Sequence, residues 1–142
     1  NLNDPFEGKV YCKIESLQQV YLRPRAEIAR LFACHVCQVD IPVECVRLMS
    51  RSEADMVART VSLGPMSPLS KDESSNSRLL ALRFMETFEG DVEFFSTFEY
   101  RISRPGREYS ARGRSLFGQA FEMGFFAAGR TQAGVLWVVD AD

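Results

Sequence analysis

The sequence predicts an α+β protein, mainly β with a few helices. Short apolar runs with period-two alternation occur near both ends and in the middle, as in "KVYCKIE", "DVEFFSTFEYRI" and "GVLWVV". That period puts successive side chains on opposite faces of a sheet. Residues 23–39 and 114–129 carry wider apolar spacing, which suits helices. Turn-forming Pro, Gly, Ser and Asp cluster between the runs. With 142 residues, 46% of them hydrophobic and 25% charged, the chain can bury a core of its own.

The elements follow in chain order. Val10, Cys12 and Ile14, then Val20 and Leu22, alternate around a polar "ESLQQ" and predict a β-hairpin ended by Pro24. In "RPRAEIARLFACHVCQV", Ile28, Leu31, Phe32 and His35 or Val36 fall at helical spacing, and Pro42 stops that helix. Residues 43–63 admit two readings by periodicity: one helix, or strands at 43–49 and 55–63 joined by a polar "SRSEA" turn. Residues 64–77, rich in Pro, Ser and charge, read as a solvated mobile loop. Leu80, Leu82 and Phe84 then alternate with Leu79, Arg83 and Met85, which predicts a strand. After the turn "ETFEGD", the residues Val92, Phe94 or Phe95, Phe98, Tyr100 and Ile102 predict two or three more. "RPGREYSARG" reads as a loop. "RSLFGQAFEMGFFAAG" reads as a helix from Ser115 to a Gly129 C-cap, although Gly118 and Gly124 each cost it ~1 kcal/mol relative to Ala. "AGVLWVVDAD" closes the chain as an apolar strand.

Composition restricts function. A net charge of −2 gives no basic excess that would mark a nucleic-acid protein, and no apolar run approaches the ~18 residues of a membrane span. The start "NLNDPFEGK" carries neither Met nor signal peptide and reads as an excerpt of a longer chain. "CHVC", Cys34 to Cys37, has zinc-knuckle spacing, but only Cys12 and Cys45 remain as partners, unevenly spaced, and His35 is the sole histidine. No metal and no cofactor is therefore expected. The cysteines read as free thiols, buried as small apolar groups in a reducing intracellular compartment. His35 has no nucleophile to pair with, and neither a phosphate loop nor paired carboxylates occur, so no enzyme and no catalytic residue is expected.

Three stretches carry a family resemblance. "KVYCKIESLQQVYLRP", "ADMVARTVSL" and "LALRFMETFEGDVEFFSTF" resemble the opening hairpin, second barrel strand and acid-turn motif of the extended Tudor domain. In that family a Tudor barrel is inserted into a staphylococcal-nuclease-like OB fold. The resemblance covers most of 8–104. It implies a nuclease-like hairpin and linking helix at 1–40, a Tudor-like small barrel at 41–104 and a nuclease-like helix and closing strand at 105–142. It also favours strands over a helix at 43–63. By the same resemblance, the function is noncatalytic reading of methylated arginine in the tails of Piwi-clade Argonautes, as a scaffold of piRNA silencing in cytoplasmic germ granules. Aromatic faces attract such a weakly hydrated cation.

Carried over position by position, the family's aromatic cage is incomplete. Met56 or Val57 stands for its strand aromatic, Thr87 for its tyrosine and Phe88 for the following glycine. Glu86 keeps its acid, Glu89 falls near its amide partner and Phe84 is the expected strand aromatic. One reading makes Phe88 with Phe94 or Phe95, beside Glu86 and Glu89, a pocket for unmethylated or partly methylated arginine, since carboxylates pair bidentately with guanidinium. The other makes these phenylalanines core and the acids solvated. Two further readings stand beside the peptide reader. Arg101, Arg104, Arg107, Arg112 and Arg114, interleaved with Tyr100 and Tyr109, fit either single-stranded RNA or a solvated loop. A structural module would pair "GVLWVV" with another chain at a sheet edge.

Overall fold

Near the chain's end β6 (Phe121–Gly129) and β7 (Gln132–Asp140) pair antiparallel, with residues 122–129 and 133–139 buried. The computed structural model describes residues 9–16, 25–63, 80–105, 107–118 and 121–140. β1 (Lys9–Ser16) lines the far side of β7, and β3 (Val92–Ser96) lines the far side of β6. β2 (Arg47–Met49) completes a five-stranded sheet in the order β1-β7-β6-β3-β2. β4 (Phe98–Arg104) and β5 (Glu108–Gly113) form a separate two-stranded sheet. The α+β class read from the sequence is the class observed. β1 from 1–40, β2 and β3 from 41–104, and β6 and β7 from 105–142 all hydrogen-bond into one sheet.

Helices cover that sheet. α1 (Arg25–Phe32) buries Ile28, Ala29 and Phe32 and runs into a π-helical turn at Ala33–Cys37, within the stretch 23–39 read as a helix. A 3-10 turn at Val43–Cys45 leads to β2. α2 (Arg51–Leu63) and α3 (80–87) follow. Both replace expected strands, and the periodicity explains why. Ala54, Val57, Ala58 and Val61 are buried at helical spacing, as are Ala81, Phe84, Met85 and Phe88. Leu82, which alternation placed beside Phe84, is exposed instead. Ser50 starts α2: its hydroxyl accepts from the Glu53 N–H at 3.0 Å and its carbonyl from Ala54.

Three more expectations change. "RPGREYSARG" supplies β5 rather than a loop: Arg107 N–H to Arg104 O closes the turn, and Tyr109 and Ala111 alternate inward. The helix expected at 114–129 is β6. Residues 122–129 are buried without a solvent face, as an inner strand requires and a surface helix does not allow. Ser115 does not cap a helix; its hydroxyl meets Glu122. "GVLWVV" is not an edge, because β7 lies between β1 and β6. The hairpin partner expected at Val20 and Leu22 and the loop at 64–77 lie outside the described residues.

The core has two sides. On one, Phe84 of α3 packs edge-on against Phe125, which meets Phe94 in the same way. Gly134 lets Phe84 and Phe88 approach the sheet, since a Cβ there would stand 2.7 Å from the Phe88 ring. On the other side, Trp137 packs against Phe126 and against Phe98 of the small sheet. Pairing of β3 with β6 ends at Phe95 and Phe126, where the chain turns into β4. Side chains take over the ladder there. The Tyr100 hydroxyl donates to Gly124 O at 2.6 Å and accepts from Gly124 N at 2.8 Å, and Ser96 Oγ donates to the same carbonyl.

Candidate functional site

The sequence-derived site divides between core and surface. Phe84, Phe88, Phe94 and Phe95 are all buried, at 0%, 3%, 1% and 5% exposure. They fill the interior, so they do not form an open ring cage. Met56 is half-buried on α2, and Val57, the alternative register, is fully buried. Glu86 and Glu89 are exposed. Phe88 and Glu89 of the expected set come together at a cavity.

That cavity is a cleft of about 170 Å³ at one end of the sheet, lined by Thr87, Phe88, Glu89, Asp91, Val92 and the β6–β7 turn from Gly129 to Gln132. Its walls follow from local sequence. α3 ends at Thr87, and Phe88 N–H still reaches back to Phe84 O. Arg51 caps that end: Nη1 donates to Phe88 O at 2.5 Å and Nη2 to Met85 O at 3.2 Å, with the guanidinium 5.5 Å over the Phe94 ring. A cation at helix C-terminal carbonyls is favourable. Gly90 takes φ +80°, a left-handed conformation that glycine adopts without penalty, and turns the chain into β3.

Charge gives the cleft its chemistry. Asp91 Oδ1 accepts from Arg25 Nη1 at 2.8 Å, and Arg130 Nε stands 3.9 Å from its other oxygen. Arg25 also lies 4.0 Å from Glu93. The Arg25 hydrogen bond holds the Asp91 carboxyl below its ordinary range. Glu89 stands at the same rim and is exposed. The lining is mostly polar: Glu89 and Asp91 bring carboxylates, which accept guanidinium or ammonium donors, and Arg130 brings a guanidinium of the chain's own. Phe88 is the single ring in the lining, and it is buried.

All four cysteines are free thiols. Cys34 is exposed and Cys37 buried, with burial pushing the Cys37 thiol up to about 11. Among the described residues no group of three His, Cys, Asp or Glu side chains is placed to hold a metal. No helix there is long and apolar enough to cross a membrane. The sequence reading missed Asp91, Arg130 and Gln132. The "EGD" turn was the available signal for the first; the other two enter only because β7 folds back on β6. No family model, curated protein or solved structure matches the chain.

Proposed function

We propose that the chain is a noncatalytic interaction module that takes an unmethylated arginine of a peptide partner into the Glu89–Asp91 cleft. The observation that carries this reading is that two carboxylates, Glu89 and Asp91, line one cleft, and that Asp91 already meets the guanidinium groups of Arg25 and Arg130 of its own chain. A peptide arginine would engage Glu89 and share Asp91 with Arg25, and Thr87 and Gln132 supply further polar groups at the rim. Carboxylates favour the plain guanidinium, whose N–H donors methylation removes. The extended Tudor resemblance supports an arginine-bearing partner such as a Piwi-clade Argonaute tail, and with it a scaffold role in small-RNA silencing.

Calorimetric titration with paired Arg-Gly peptides, unmethylated and symmetrically dimethylated, tests the reading. The expected result is tighter binding of the unmethylated form and at least a tenfold loss in Glu89→Gln. Absence of binding to either peptide by the folded chain overturns it.

A further inference from the structure

The β4–β5 hairpin carries charge unlike the rest of the molecule. Residues 98–114 hold five arginines, two glutamates and no lysine, a net +3 in a chain whose whole is −2. Register sorts them. Phe98 and Tyr100 point inward and are buried, with Ile102, Tyr109 and Ala111 half-buried beside them. Glu99, Arg101, Ser103, Ser110 and Arg112 are exposed. Arg101 stands opposite Ser110 and Glu99 opposite Arg112. Arg114 extends the array beyond β5, its backbone held by both the carbonyl and the hydroxyl of Thr97. Arg104 and Glu108 neutralise one another at 3.5 Å. Among the described residues, the side chains of Arg101, Arg107, Arg112 and Arg114 make no hydrogen bond or ion pair.

We infer that this outer face binds the phosphodiester backbone of single-stranded RNA, without reading its sequence. Three properties select that occupant. The free cations are all arginines, whose planar fork matches phosphate oxygens, and exposed serines stand between them. Alternate residues on a strand lie about 6.7 Å apart, comparable to successive phosphates of an extended strand. The outward set contains no apolar side chain, so a protein partner would find none of the buried anchors that dominate such interfaces. Base stacking is excluded at Tyr100, whose ring is buried and whose hydroxyl holds Gly124. Binding therefore rests on charge.

Fluorescence anisotropy of the chain with a labelled oligouridine, across a salt series, tests this. Four neutralised phosphates predict a log–log salt slope of about −3. Arg101→Gln, Arg112→Gln and Arg114→Gln combined should weaken binding tenfold or more. The same three positions as Lys should retain most of it, and Arg83→Gln on α3 should change it less than twofold. Circular dichroism establishes that each variant is folded. A salt-independent signal, equal binding by the triple Gln variant, or no binding in dilute salt overturns the inference. So does polyglutamate competing as well as RNA, which would assign the face to an acidic protein.

Discussion

Glu122 is a charged side chain placed where a strand interior would ordinarily exclude one. It is 4% exposed, yet its carboxylate is well supplied with donors: Leu116 N at 2.8 Å, Phe117 N, the Ser115 hydroxyl and Trp137 Nε1 at 3.1 Å. One residue thereby pins the 115–117 loop against β6 and β7. Glu122→Ala would strand the buried donors Leu116 N and Trp137 Nε1 at ~1–3 kcal/mol each, so about 2–6 kcal/mol of unfolding free energy should disappear in a urea melt. Asp91 makes the opposite kind of pairing, at the surface. Its folded pKa is lowered, chiefly by the Arg25 hydrogen bond. The stabilisation is thus present above the ordinary value of 3.8 and lost as pH falls through the depressed one. An NMR carboxyl titration should place the Asp91 midpoint below 3.8, and Arg25→Met should move it upward.

α2 and α3 mark where alternation misled. β-branched or aromatic residues lie on the inner faces of both, and α3 also exposes Leu80 and Leu82, so a strand period fits almost as well as a helix period. The deciding signal at α2 was local. Ser50 and Glu53 have the Ser-x-x-Glu spacing of a helix start, although Glu53 turns its carboxylate to Arg47 instead of back to the cap. Ser50→Ala should cost ~1 kcal/mol, read as a lowered urea midpoint at constant slope. β6 failed in the other direction. Its flanking Ser115 and Gly129 imitate helix ends, while its burial on both faces is a tertiary fact that no local window contains. β1, β3, β4 and β7 were legible because each presents alternating or continuous apolar residues bounded by turn residues.

Across the whole molecule, class was easier to read than connection. The α+β balance follows from composition and period, but the sheet order β1-β7-β6-β3-β2 joins the two ends of the chain through pairs more than a hundred residues apart. The candidate site inherits that difficulty. Its acidic rim lies in one short segment, whereas its far wall is the β6–β7 turn, and the phenylalanines that looked like a cage were needed for the core. The molecule thus carries two surfaces of opposite chemistry, the carboxylate-lined cleft and the arginine face of the hairpin.

Trp137 gives that architecture an optical readout. It is the chain's one tryptophan, fully buried, stacked near Phe98 of the small sheet and bonded to Glu122. Its emission is therefore the emission of the seam between the two sheets. With the hairpin seated the indole should emit at the blue end of its range. Tyr100→Phe, which leaves the Gly124 N–H without its hydroxyl acceptor and its carbonyl with Ser96 Oγ alone, should bring the red shift at a lower urea concentration than in the parent chain. Light alone, with no attached dye, then reports whether the packing between the two sheets is intact.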